Sequence, residues 1–198
     1  MRISRFLCRS ICLLVALSAS QQAVAQSRGD FIALFNGRDL TGWRGGDAYD
    51  ARALQELSET ERSVKMAEWA AAMMRINPQT RRPHWHVAEG TLVGDGLGGC
   101  ATTMQDRENF ELRMEFLAKA GSEAALNLRG VPKIALTDSV RSGHGAGGWR
   151  RARIRMVGSR VSVWLDDGLV RNHAILENFH DRTLPAAQRR PVPRRGPI

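Results

Sequence analysis

The stretch NFELRMEFL, Asn109 to Leu117, alternates apolar and polar residues without a break. In an extended chain Phe110, Leu112, Met114 and Phe116 fall on one face and Glu111, Arg113 and Glu115 on the other, which predicts a half-buried strand. The next runs keep the division: in ALNLRG, Leu126 and Leu128 oppose Asn127 and Arg129, and in KIALT the apolar pair is Ile134 and Leu136. Strands that share one apolar face need a second layer to cover it, so an antiparallel sandwich is expected. Its core should hold Phe110, Leu112, Met114, Phe116, Leu126, Leu128, Ile154 and Val163. The opposite face, carrying Glu111, Arg113, Glu115, Asn127, Arg129 and Lys133, is where a site is sought.

Downstream, WRRARIRMVGSRVSVWLDDGLVRNH sets Ala152, Ile154 and Met156 against Arg151, Arg153 and Arg155, with turns at Gly158-Ser159 and Asp167-Gly168. This predicts a three-strand meander. The Asp166-Asp167 pair is read as turn chemistry rather than a calcium site. Upstream, HWHVAEGTLVGDG reads as two strands around a turn at Glu89-Gly90, with His84 and His86 together on one face. Such a pair can bind metal, but spacing supplies no third ligand, and an exposed pair is expected. Gly94, Gly96 and Gly99 match a dinucleotide fingerprint by spacing alone. No helix pattern follows them, so a hairpin loop is the reading.

Residues 50–76 break the strand pattern. Ser58 and Glu61 form a capping box, and Val64, Ala67, Ala71 and Met74 recur at helical spacing, predicting a helix with a shorter one before it at Ala51 to Leu57. Met66, Trp69, Met73 and Met74 could line a ligand site or pack the helix on the sandwich edge, and the second is expected.

The first 25 residues look like a removable leader. Arg2, Arg5 and Arg9 precede the apolar run Ile11 to Ala19, and Ala23-Val24-Ala25 supplies a cleavage pattern before Gln26. The run is shorter than the roughly 20 residues that cross a bilayer, so no transmembrane segment is expected in residues 26–198, read as one domain, exported to the periplasm or beyond. Cys8 and Cys12 fall in the leader, which leaves Cys100 without an internal disulfide partner. The formal charge of +9 raises a nucleic-acid partner, but the arginines are dispersed and no recognition motif accompanies them, so none is expected.

A resemblance joins these segments. LFNGRDLTGW, Leu34 to Trp43, resembles the opening signature of the 3-keto-disaccharide hydrolase family. WHVAEGTLVGDGLGGCATT, FELRMEF, LNLRGVP, MVGSRVSVWLDDGLV and the run from His173 to Pro185 are similar to its later strands and turns. Membership implies an all-β, concanavalin-like jelly-roll sandwich, here with a helical insertion near residues 50–76. Relatives carry a long loop after the position of Asp138, where this chain has only SVRSGHGAGG, with His144 its one side chain suited to chemistry and read as a bystander. In relatives Gly-Pro-Ile opens further closing strands, which this sequence is expected to lack, leaving an exposed edge.

The resemblance also implies a carbohydrate-active enzyme. A ketone at C3 of a glycoside acidifies the C2 hydrogen, so the aglycone can leave by elimination and water can then add. The reaction needs a base, an electrostatic partner for the enolate oxygen and an acid. Glu115 as base or metal ligand, Arg129 as electrostatic partner and Asp138 as second carboxylate are the catalytic expectations. Glu111, Asn127, Lys133 and, as an aromatic platform, Trp164 are the substrate-binding ones. A divalent metal is the one cofactor this chemistry could use, and its ligands are unknown from sequence. The competing readings are a non-catalytic carbohydrate-binding sandwich and an inactive, shortened family member.

Overall fold

The computed structural model describes residues 13–16, 31–47, 51–119, 122, 124–130, 133–136, 148–178 and 181–198. In chain order the strands are β1 (Leu13–Ala16), β2 (Trp43–Gly46), β3 (Trp85–Ala88), β4 (Thr91–Gly94), β5 (Cys100–Thr103), β6 (Phe110–Ala118), β7 (Ala125–Asn127), β8 (Lys133–Ala135), β9 (Arg150–Val157), β10 (Arg160–Leu165) and β11 (Gly168–Ile175). Helices α1 (Ala51–Glu56) and α2 (Glu59–Met74) lie between β2 and β3. One sheet runs β11-β10-β9-β6-β1-β4-β3, and β2-β5 and β7-β8 form two-stranded sheets. Every pairing is antiparallel. The chain is an all-β sandwich with few helices.

The alternating stretch is β6, and its parity is the expected one. Met114 and Phe116 are buried with Ala152, Ile154 and Met156 of β9 and Val161, Val163 and Leu165 of β10. Leu128, Ile134 and Leu136, from the β7-β8 segment, belong to the same cluster. Of the expected core, Met114, Phe116, Leu128, Ile154 and Val163 are buried, while Phe110, Leu112 and Leu126 are half-buried against it. A smaller cluster of Phe35, Met73, Trp85 and Leu92 packs the other end. The meander is β9-β10-β11, and its Asp166-Asp167 corner has both residues at positive φ. Asp166 accepts from Arg150 at 2.7 Å and from the Arg151 amide at 2.9 Å, and Asp167 pairs with Arg151 at 2.7 Å. These carboxylates hold a hairpin.

The helical insertion is present, with the Ser58–Glu61 capping box formed in both directions. Of the residues expected to pack it on the sandwich edge, Trp69 and Met73 are buried and Met74 is exposed, and Val64 of the other periodic set is exposed as well. The heptad-like spacing fits either face, and the one turned inward carries the larger rings and chains, which gain more from burial. Gly45 makes this docking close. A Cβ there would stand 2.1 Å from the Trp69 carbonyl oxygen, so the helix backbone rests on β2 where a side chain would be.

Two placements depart from the sequence reading. Leu13–Ala16, within the apolar run read as a leader, form β1 in the middle of the large sheet. His84, expected as half of an exposed pair, is buried with 6% of its surface accessible. It precedes β3, so strand alternation does not govern it, and its Nδ1 lies 2.7 Å from Asp95, which also accepts from Asn77. Burial pushes the Asp95 carboxyl up, but hydrogen bonds from Asn77, His84 and the Leu97 amide outweigh it and hold it below the ordinary 3.8. His86 Nδ1 lies 3.0 Å from the Pro83 carbonyl. At the other end of the chain, Gly196 bridges Arg107 and the Ile198 backbone bonds to Thr103.

Candidate active site

A cavity of about 790 Å³ opens where the large sheet, the β2-β5 pair and the β7-β8 pair face one another. That size suits a small organic ligand such as a disaccharide. The family-like signature builds one wall. Asn36 Oδ1 accepts from the amides of Arg38 and Asp39, Asn36 donates to Asp39, and Asp39 accepts from the Thr41 amide. This self-bonded turn is what Asn, Gly and Asp at these positions provide. It carries the chain into β2, and Trp43 Nε1 then donates to the Leu34 carbonyl at 3.0 Å. Trp85 Nε1 donates to the Gly99 carbonyl. With their N–H groups satisfied, both rings serve as apolar wall, and Trp69 of α2 completes it.

Against this wall stand polar groups from separate strands: Asp47 after β2, Glu111 on β6, Asn127 on β7 and Lys133 on β8, with Arg44 and Cys100. Arg44 lies over the Trp69 ring at 5.9 Å. Burial lowers the pKa of its guanidinium, and Asp106 opposes that shift. Asn127 Nδ2 lies 3.7 Å from Cys100 Sγ. The Cys100 thiol is pushed up by burial, further by Asp47, and down by Lys133, so those two charges flank it. Glu111 Oε1 receives Arg113 at 2.7 Å and has Arg153 at 4.0 Å, while Oε2 has no partner among the described residues. One oxygen of this carboxylate is anchored, and the other is available to a ligand.

Of the residues expected to bind substrate, Glu111, Asn127 and Lys133 line the cavity. The others go elsewhere. Glu115 sits half-buried where β1 takes up the edge of β6, opposite Ala16 and Arg151. Trp164 is half-buried under Arg153, whose guanidinium carbon is 3.9 Å from the ring centroid, so its face is already covered. Arg129 is 1% exposed. Its backbone adopts φ 51 in a turn after β7 rather than continuing the strand, which turns the side chain inward instead of onto the polar face. Nη1 donates to the carbonyls of Gly158 at 2.7 Å and Pro193 at 3.1 Å, and Nη2 donates to the Glu108 carbonyl. Both terminal nitrogens are taken up by backbone carbonyls, while Nε is buried with no hydrogen-bond partner among the described residues. Asp138 and His144 lie outside the described residues.

Sequence reasoning missed Asp47 and Arg44, and it weighed Trp69 as a ligand-lining residue but expected it only to pack the helix, whereas it does line the cavity. Asp47 follows the Gly45-Gly46 pair just after the signature, and its position there was the available signal. Among the described residues no three His, Cys, Asp or Glu side chains are grouped to hold a metal ion. The described donor set does not fit a metal, and no step below uses one.

The all-β sandwich thus holds a cavity walled by tryptophans and set with carboxylates and cations. Residues 30–142 match the 3-keto-alpha-glucoside-1,2-lyase-like domain, and the chain belongs to that family. The match begins ahead of the signature turn and runs past β8, and so includes that turn, Glu111, Asn127 and Lys133. No curated protein matches the chain. No helix among the described residues is long and apolar enough to cross a membrane.

Proposed function

We propose that the cavity binds a glycoside oxidised at C3 and cleaves it by elimination and hydration. A carboxylate, taken here as Glu111 through Oε2, removes the C2 proton, and the electron pair moves into the ring carbonyl as an enolate. Lys133 offsets the charge on that oxygen. Collapse of the enolate breaks the bond from C1 to the glycosidic oxygen, which takes a proton from an acid, a role given to the Asp47 carboxyl, the second acidic side chain on the cavity wall. Water then adds across the C1–C2 double bond, oxygen to C1 and proton to C2, giving the 3-keto sugar. Asn127 and the tryptophans position the ring. Glu115, Arg129 and Asp138 remain as the alternatives drawn from sequence.

The observation that carries this reading is the convergence of Glu111, Asn127 and Lys133 on one cavity inside the family's matched segment. The leader pattern supports an exported protein acting in the periplasm or outside the cell. In the test, purified protein is given a 3-keto-glucoside and the matching unoxidised glucoside in deuterated water. Aglycone release from the ketone alone, with deuterium at C2 of the product, is the expected result. Glu111→Gln should lower turnover by about 10² to 10⁴ with the thermal midpoint unchanged. Equal release from both substrates would overturn the elimination. Tight binding of the ketone without release would establish a binding module instead.

A further inference from the structure

Arg44 lines the cavity but takes no part in the reaction proposed above. It is half-buried on β2, and its guanidinium lies over the Trp69 ring, 5.9 Å from the centroid, which holds the group against the α2 wall. Among the described residues it makes no ion pair. Nη1 donates to the Gly45 carbonyl at 3.0 Å, and the Asp106 carboxylate acts on the group only across a distance. Nε and Nη2 have no partner among the described residues, and unlike Arg129 Nε neither is sealed in the interior. These two nitrogens share one edge of the planar guanidinium with their N–H bonds parallel, the fork that meets both oxygens of a carboxylate. A half-buried cation without a counter-charge is unfavourable, and a ligand carboxylate would offset that.

The other charges on the cavity wall agree in sign and are already engaged. Arg44, Arg107, Arg113 and Lys133 line it against Asp47 and Glu111. Arg113 donates to Glu111 at 2.7 Å and Arg107 to Gln105 Oε1 at 2.9 Å, while Lys133 is assigned to the enolate oxygen. That leaves Arg44, among the described residues, as the cation with an edge to offer. Its place in the fold says to what. Arg44 lies on β2 and Asp47 directly follows that strand, whereas Glu111 and Lys133 stand on β6 and β8. Asp47 is the group assigned to the departing oxygen, so Arg44 belongs to the leaving-group side of the cavity.

We propose that Arg44 is a specificity-determining residue that receives a carboxylate on the leaving group, so that the preferred substrates are 3-keto-glycosides with an acidic aglycone. The side of the cavity on which the carboxylate falls rests on the reaction proposed above; the recognition of a carboxylate by Arg44 does not.

Two matched pairs of ligands test it: 4-carboxyphenyl and 4-carbamoylphenyl glucosides, which differ in charge and little in shape, each with and without the C3 ketone. The unoxidised pair reads binding alone by calorimetry. The carboxylate should bind at least about tenfold tighter than the amide, with the advantage shrinking as salt is added. In Arg44→Gln the ratio should fall to about one, and Arg44→Lys, which keeps the charge without the fork, should retain only part of it. In the oxidised pair the preference should appear in KM rather than kcat, because the carboxylate is remote from the bonds that change. Equal or undetectable affinity of the native chain for the two unoxidised glucosides, or a preference that survives in Arg44→Gln, would overturn the proposal. Should Arg44→Gln fail to fold, the native ratio and Arg44→Lys still decide it. Preference for the carboxylate with no aglycone release from either ketone would keep the Arg44 assignment and overturn the reaction. Release from both ketones at equal kcat/KM would keep the reaction and overturn the assignment.

Discussion

Replacing Arg129 with alanine should destabilise the fold by about 3 to 5 kcal/mol and leave turnover per folded molecule unchanged. The guanidinium ties together three places far apart in sequence: Glu108 before β6, Gly158 at the β9-β10 turn and Pro193 near the chain's end. Burial lowers its pKa and the Glu108 carboxylate opposes that shift, so the group is a desolvated cation held by oxygen dipoles. Each carbonyl left without a donor costs up to about 1 to 3 kcal/mol, and because these three bonds are only part-buried, water recovers part of that and leaves about 3 to 5 in all. Alanine does not relieve the φ of 51 at this position. Glycine does, so Arg129→Gly should be less destabilising than Arg129→Ala by about 1 kcal/mol. Lysine keeps the charge but not the fork and should fall between wild type and alanine. Urea unfolding at constant m-value measures the loss, and aglycone release from a 3-keto-glucoside below the variant's transition measures turnover. An unchanged midpoint with turnover lost would refute the reasoning and return Arg129 to the reaction.

Three further outcomes follow from the packing and the titrations. Ile154→Ala, in a side chain with 0% exposure, should cost about 2 to 5 kcal/mol by calorimetry, and a cost under about 1 would contradict the core described here. Asp95 has its folded pKa depressed below 3.8, so its contribution is present above that value and fades as pH falls through the lower folded value. Asp95→Asn should therefore flatten the acid limb of stability against pH, and an unchanged limb would show that the carboxyl is not held as described. Cys100, its thiol pushed up by burial, should react slowly with iodoacetamide at neutral pH, faster as pH rises, and more slowly again when a 3-keto-glucoside fills the cavity. Peptide mapping reads the site, and a free-thiol rate at neutral pH would contradict the burial.

Local periodicity was enough to determine β6, β9 and β10 and their inward faces. Alternation at Asn109–Leu117 and Arg150–Val157 leaves one register in which apolar residues are covered, so sequence alone settles which side of β6 faces the core. Turn chemistry did the same for Glu89-Gly90 and Asp166–Gly168, and the Ser58–Glu61 box fixed the start of α2, because each is a bond between near neighbours. What only the tertiary structure decided are contacts between residues far apart in the chain. Arg129 shares its strand-like parity with Asn127, yet one positive φ sends its fork to carbonyls near residues 108, 158 and 193, a destination no local pattern encodes. His84 is buried because Asp95 and Asn77 converge on it, and Trp69 rather than Val64 faces inward because β2 offers the glycine-floored seat. The cavity is the clearest instance: Glu111, Asn127 and Lys133 were legible as one polar face, but Asp47, Arg44 and Trp69 join them through the docking of two small sheets and a helix. Alternation reports the two sides of a strand, and only packing reports what stands across the gap.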